Sequence, residues 1–500
     1  MLYLGIDSGT QSTKCIVLDT STWQVIASSS ASYELIAGLA PGHLEQHPED
    51  WIEATGKTIA DCLQQIGQRR ELVRGIGVSG QQHGLVVLNK RGEVIRPAKL
   101  WCDTSTAPQC EAFAREFGGQ KNIIALAGNA ISPGYTAPKL LWLKENEPTH
   151  FSEIETVLLP HDYLNFWLSG ERTMEYGDAS GTGLLNVRTR VWEQKLIDFI
   201  DPDLTGKLPI PQSSQLPNGL LREELRERWG LPANVVIASG GGDNMMGAIG
   251  TGNIAPGTVT ASFGTSGTLY AFSETPVIDA DHGEVAAFCD STDHWLPLIC
   301  TMNVTVATEQ VRALFGWDHL ALNAAVAGTS PGADGLLFLP YLTGERTPNL
   351  PQATGVLHGL NTSNFQPGAI ARAAMEGVTL GLAYGVQALA HLGVQPKEIR
   401  LTGGGSKSAV WRQIAADVFG VPVVCLTTSE GAALGAALQA AWIEGQTNRS
   451  GVPLAQLIEA AIHPDPASRC EPEPKNHLFY QDLLAKQTRL TRQLHETGYL

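Results

Sequence analysis

The chain opens on an apolar run, Tyr3 to Ile6. It breaks into a small polar turn, Asp7 to Thr13, and resumes as a second apolar stretch from Cys15 to Asp19. That pattern predicts two strands joined by a Gly-containing turn. From Asp50 to Gln68 the apolar positions change to helical spacing, with Trp51, Ile52, Ile59 and Leu63 on one face. A strand from Val73 to Val78 then runs into Ser79-Gly80-Gln81-Gln82-His83-Gly84, and another, Leu85 to Leu88, comes out. Near mid-chain a buried strand, Asn234 to Ala238, ends in Ser239-Gly240-Gly241-Gly242-Asp243-Asn244, and a small-residue helix follows from Met245 to Gly250.

Strand, turn and strand return at Gly257 to Tyr270, around Gly264-Thr265-Ser266-Gly267. The turn Asp7-Ser8-Gly9-Thr10-Gln11-Ser12-Thr13 is thus echoed by Phe263-Gly264-Thr265-Ser266-Gly267-Thr268. Two similar halves are expected, with a boundary near residue 250: residues 1–247, residues 248–445, and a loop-rich tail, 446–500, ending in one helix and packing on the second half.

Composition narrows the function. Five hundred residues exceed one hydrophobic core. With 53 glycines and only 17% charged residues, tight turns and backbone-lined sites are expected rather than a charged binding surface. The net charge of -16 repels a phosphate backbone, which argues against nucleic acid as a partner. It also repels ATP, so such a ligand needs local donors and a metal. The eight cysteines form no C-x-x-C pair, which reads as a reduced cytosolic chain without a zinc site. The N-terminus enters a strand without a basic or apolar leader. The longest apolar segment, Val378 to Val394, is interrupted by Thr379, Gln387 and His391, so no membrane span is expected.

No G-x-x-x-x-G-K-[ST] occurs, and no G-x-G-x-x-G follows the first strand. The two hairpin turns are the alternative, because a turn of Gly, Ser and Thr points consecutive N–H groups at one spot. Asp7 could hold Mg²⁺ through water, and Lys14 adds a local positive charge. An ordinary hairpin explains either turn taken singly. A third segment, Ile399 to Ser406, leads a strand through Gly403-Gly404-Gly405 into a helix starting near Ser408, with Trp411, Ile414 and Val418 on one face. Three glycines let a flat ligand or phosphate approach the backbone, and a helix N-terminus favours an anion. The small-residue helix Gly431 to Ala440 is placed close behind this loop, plain helix packing being the alternative.

Two longer motifs carry a family resemblance. One is Gly134-Tyr135-Thr136-Ala137-Pro138-Lys139-Leu140-Leu141-Trp142-Leu143-Lys144-Glu145-Asn146. The other is Gly355-Val356-Leu357-His358-Gly359-Leu360 with Ala369-Ile370-Ala371-Arg372-Ala373-Ala374-Met375-Glu376, departing at Ala369, where a polar residue is usual and a local cap is weakened. From roughly Leu2 to Gly445 the chain resembles the FGGY carbohydrate kinases of the actin/hexokinase-type ATPase superfamily, and within them it is most similar to the xylulokinases.

The resemblance implies an α/β fold of two ribonuclease H-like (actin-like ATPase) domains with a cleft that hinges shut. It implies that Asp7, Thr10, Gln11 and Lys14 face the ATP phosphates and metal from the first half, and Gly264 and Thr265 from the second. Gly404 and Gly405 would line the nucleotide, with Lys407 or Ser408 near the adenine and Gln310 a further candidate. Asp243 would be the base that takes the hydroxyl proton and, with Asp7, a metal carboxylate; its rival role is a helix N-cap. Gln82, His83 and Asn244 would meet the sugar, with Trp101 and Asp103 walling the pocket. The Arg-Glu pair of glycerol kinases is missing at the Gln82-His83 loop. Gly344-Glu345-Arg346-Thr347-Pro348 reads as a structural turn with a Glu/Arg pair.

The expected reaction is ATP plus D-xylulose to ADP plus D-xylulose 5-phosphate, with Mg²⁺. D-ribulose, L-ribulose and gluconate are the alternative substrates. A non-catalytic sugar- or nucleotide-binding regulator is the rival class; it has no need of both Asp7 and Asp243. A homodimer is among the assemblies left open.

Overall fold

The computed structural model describes residues 1–428, 430–448 and 451–500. The chain forms two compact units. One comprises Met1–Ile254, Ser273–Leu296 and Glu430–Ile462; the other comprises Ala255–Phe272, Pro297–Ser429 and His463–Leu500.

The first unit is built on the opening hairpin. Leu2–Ser8 and Ser12–Asp19 pair antiparallel with Asp7 opposite Lys14. Gln24–Ser32 pairs antiparallel on the Ser12–Asp19 side. On the other side Val73–Gly80 and then Val236–Ile237 join in parallel. The helix Pro48–Ile66 opens with Pro at its first turn and Glu49 and Asp50 beside the positive end of its dipole. It buries Trp51, Ile59 and Leu63 in the same apolar core as Leu2, Leu4, Ile6, Cys15 and Val17 of the hairpin.

The helix Gly431–Thr447, whose small residues predict close packing, lies against the sheet in this unit, behind Leu2–Ser8 and Val73–Gly80. Glycine explains the choice. A Cβ on Gly5 would lie 1.9 Å from the Ala433 carbonyl oxygen, and one on Gly77 would lie 2.0 Å from that of Ala436. The same helix meets Asp243–Gly250, where Cβ atoms on Gly250 and Gly435 would fall 1.7 and 1.8 Å from backbone oxygens. Backbone lies on backbone, and no flexible side chain is there to move aside. Gly77→Ala should therefore cost more than the ~1–3 kcal/mol typical of overpacking, read as a lowered midpoint of thermal unfolding. An unchanged midpoint would mean that the helix can shift.

The second unit repeats the order and direction of the first. Thr258–Phe263 and Gly267–Ala271 form its hairpin, and Trp295–Thr301 adds antiparallel beside the latter. Glu398–Thr402 and Val423–Val424 add in parallel beside the former. Helix Pro367–His391 carries the departing residue Ala369, buried among Ala333, Leu336 and Ala373. Its Arg372–Glu376 pair is buried and bound to Tyr480 of the last helix, Pro474–Glu496, whose hydroxyl donates to Glu376 at 2.6 Å. The tail holds a second helix as well, Leu454–Ala461, which belongs to the first unit; flanking prolines disguised it as loop. No helix among the described residues is long and apolar enough to cross a membrane.

Candidate active site

Asp7 is the penultimate residue of the first strand, and the parallel strand Val73–Gly80 places Ser79 beside it. The Ser79 hydroxyl donates to Asp7 Oδ1 at 2.8 Å. Burial raises the Asp7 pKa above the usual carboxylate range, Glu430 adds to this, and Ser79 and Lys14 pull the other way. Lys14 is paired with Glu430 at 2.5 Å. At the turn, Thr10 accepts from the Trp101 indole N–H at 2.9 Å and lies 3.2 Å from Gln81 Oε1, while the side chain of Gln11 is exposed.

Beyond Ser79 the strand Val73–Gly80 pairs with Gly241–Gly242, and that pairing delivers Asp243 to the same corner. Gly242 is the N-cap and Asp243 the first helical residue, so the cap position that competed with a chemical role belongs to its neighbour. Asp243 Oδ1 accepts from the Asn244 N–H at 2.7 Å and its amide at 2.9 Å. The same amide donates to Gln82 Oε1 at 2.8 Å. Burial, reinforced by the charge of Asp7, pushes the Asp243 carboxyl up to about 7. Gln82 is buried, and its Nε2 has no hydrogen-bond partner among the described residues.

His83 stands at φ 62, in the left-handed region that His adopts only uncommonly. The family-like helix Thr136–Asn146 holds it there. Lys139, fully buried, donates to the His83 carbonyl at 2.7 Å, and Thr136 donates to it at 3.2 Å. The imidazole packs on Tyr135 and Phe288, centroids 4.9 and 5.4 Å away, and over Gly181, where a Cβ would come within 2.2 Å of the ring. Asp103 is not a pocket wall. It is fully buried and accepts from Leu44 and Ser105. With His43 and Glu45 it makes a metal-like triad, but the Lys99 ammonium already stands among them at 3.1–3.2 Å.

Sequence reading missed the support beneath this corner. His161 is fully buried between Asp162 and Asp178, each at 3.0 Å. Burial opposes a charged ring, but the two carboxylates outweigh it and hold His161 well above the ordinary imidazole range. Gly80 and Gly240 both pass close to His161: a Cβ on Gly80 would lie 2.8 Å from its backbone nitrogen and its Cβ, and one on Gly240 would lie 3.1 Å from its ring. The signal was available in the sequence: charged residues inside the apolar stretch around Pro160-His161-Asp162-Tyr163 need buried partners.

In the second unit, the carbonyls of Gly264 and Thr265 accept from Thr305 and Val304 at 2.9 and 3.0 Å, leaving the Thr265 side chain exposed. Packing explains two of the three loop glycines. Gly403 has φ 82 and abuts the Phe263 backbone, and Gly405 abuts Phe263 and Trp411. Only at Gly404 does a Cβ meet open space. Ser408 caps the helix Ala409–Phe419 by accepting from Trp411 N–H at 3.2 Å, and it donates to Asn323 at 2.7 Å. Lys407 and Gln310 are exposed. Glu345 accepts from the N–H groups of Met302 and Arg346 and from the Asn303 amide, which makes its loop structural.

The duplicated, hairpin-led sheet, with two desolvated carboxylates beside its first turn, has the architecture of the actin-like ATPases. Residues 2–250 match the N-terminal domain, and residues 259–444 the C-terminal domain, of the FGGY family of carbohydrate kinases. The chain belongs to that family and is a sugar kinase. It is similar to the xylulose kinase of Haemophilus influenzae, 42% identical over 487 residues, covering 96% of this chain and 97% of that one. Among solved structures it is similar to a ligand-bound xylulose kinase from Lactobacillus acidophilus, with a TM-score of 0.91, 26% identity and coverage of 99% and 98%. A gluconate kinase from the same organism matches with the same values.

Proposed function

We propose that this chain transfers the γ-phosphoryl group of ATP to D-xylulose, forming D-xylulose 5-phosphate. The observation that carries the reading is the hydrogen-bonded run from Gln82 through Asn244 to Asp243, which puts a base with a pKa of about 7 next to amides suited to sugar hydroxyls. A carboxylate poised near the working pH is the favourable case for taking a hydroxyl proton. Asn244, His83 and the unpartnered Gln82 Nε2 meet the sugar, and Trp101 borders it.

Asp7 and Asp243 fit a divalent cation, because two carboxylates that raise each other's energy in a desolvated corner are relieved by one. Mg²⁺ would neutralise charge on the transferring phosphoryl group. Lys14, the turn at Thr10 and Gln11, and from the second unit Gly264, Thr265, Gly404 and Gly405 meet the nucleotide. Ser408 contributes through the helix end that it caps, since its hydroxyl is engaged. With all eight cysteines unbridged, we place the enzyme in the cytosol.

Backbone likeness does not choose the sugar, because a xylulose kinase and a gluconate kinase fit equally well. The choice of D-xylulose rests on the closer sequence likeness to a xylulose kinase. A site that hydrogen-bonds a hydroxyl can reject an analogue lacking it by up to ~10⁴-fold. In a coupled ADP-release assay, kcat/KM should rank D-xylulose first, D-ribulose behind it and glycerol near background. His83→Ala should raise KM for the preferred sugar more than it lowers kcat, since that contact precedes the transition state. Gluconate or D-ribulose ahead by tenfold would overturn the sugar and leave the kinase standing.

A further inference from the structure

Side chains from four segments converge on the tip of the first hairpin, and their donors and acceptors can be assigned in only one way. An indole N–H only donates. The Trp51 indole lies 3.0 Å from Gln46 Oε1, which fixes the Gln46 amide and turns its Nε2 to the Thr10 carbonyl at 2.6 Å. Gln81 Nε2 donates to the same Gln46 oxygen at 3.1 Å, so Gln81 presents its own oxygen to the Thr10 hydroxyl at 3.2 Å. That hydroxyl also receives the Trp101 N–H at 2.9 Å. Its single proton therefore goes to Gln81. What remains toward any other ligand is a lone pair, which phosphate oxygens repel. Next to this clamp, the Tyr33 hydroxyl holds the Gly9 carbonyl at 2.7 Å. Trp51, Gln46 and Gln81 are all at most 1% exposed, so water does not compete for these bonds.

The geometry points to Gln46 and Gln81 as positioning residues that lock the first phosphate hairpin to the sugar-facing loop, with the Trp101 N–H turning the Thr10 hydroxyl away from the nucleotide. This rests on the kinase reading and revises one residue within it. Thr10 serves ATP through its backbone and its place in the clamp, not by donating from its hydroxyl. The connection continues along the chain, since Gln81 precedes Gln82, whose amide oxygen takes the Asn244 amide beside Asp243. Loosening the clamp should disturb the hairpin first, and so weaken ATP more than sugar.

Two variants test this. Gln46→Met keeps length and bulk without hydrogen bonding, and Trp101→Phe keeps an aromatic ring without the N–H. In each, the dissociation constant of β,γ-imido-ATP with Mg²⁺, read by calorimetry, should rise about tenfold, the scale of one well-made hydrogen bond. In Gln46→Met, which lies outside the sugar contacts, KM for the sugar should stay within about threefold. The double variant should lose less than the product of the two, because both cut one network. Nucleotide affinity within twofold of wild type in Trp101→Phe would overturn the proposal, as would a sugar KM in Gln46→Met that rises as far as the nucleotide constant. If Gln46→Met fails to melt cooperatively, Trp101→Phe decides alone. Wild-type turnover is a separate reading: its absence with every sugar would sink the kinase assignment, while the nucleotide binding constants would still judge the clamp.

Discussion

Asp243→Asn should lower kcat by ~10²–10⁴, the range that a positioned base contributes, while the sugar still binds through Gln82, Asn244 and His83. The substitution keeps the shape that fits between Asn244 and the glycine turn and removes the carboxylate charge, which takes the proton and also faces the cation. The pH profile carries the same signature. Asp243 works ionised, and burial with the charge of Asp7 holds it at about 7. For wild type, kcat/KM for the sugar should therefore fall about tenfold per pH unit below about 7 and level off above it. Stability runs in the opposite sense. A folded-state pKa raised above its unfolded value of about 4 makes folding costlier as pH climbs from about 4 to about 7, and the full cost applies above that. Asp243→Asn should accordingly melt at a higher temperature than wild type at pH 8 and show no such gain at pH 4. A variant that kept more than about a tenth of kcat would remove Asp243 from the proton transfer and leave it a first-turn helix residue.

The parts of this arrangement that could be read from sequence are local. A hairpin turn announces itself by residue type, as do the three glycines before Asp243, and so the carboxylates and the duplicated hairpin were visible. The parallel strands starting at Val73, near Val236 and near Ile399 were visible as well, but the outer strands Gln24–Ser32, Trp295–Thr301 and Val423–Val424 were not. Gln24–Ser32 is serine-rich, and its burial alternates irregularly because it lies at the sheet edge. Long-range choices were equally silent. The composition of Gly431–Thr447 says that something packs closely, but only the positions of Gly5, Gly77 and Gly250 say against what. Lys139 looks like one more helix lysine until its ammonium is found on the His83 carbonyl, 56 residues back in the chain. The Gly403-Gly405 loop shows the converse. Three glycines suggested a surface cleared for a ligand, whereas two of them answer to Phe263 and Trp411.

Asp7→Asn should lower kcat by ~10²–10³, the cost of removing one preorganised electrostatic contact, and saturating sugar should not restore it. The amide can still accept from Ser79 at the position where Asp7 does, so the hairpin has no reason to unfold. What disappears is a negative charge, with two consequences of opposite sign. The cation site weakens, and the Mg²⁺ concentration giving half-maximal rate should rise. At the same time Asp243 loses the neighbour whose charge, after burial, does most to raise its pKa, so the acid limb of the residual activity should move to lower pH. A purely structural lesion would reduce the rate without moving that limb, and a weakened sugar contact would recover at high sugar. A variant regaining full rate as sugar rises, or keeping both its Mg²⁺ dependence and its pH limb, would exclude Asp7 as the carboxylate that organises the metal.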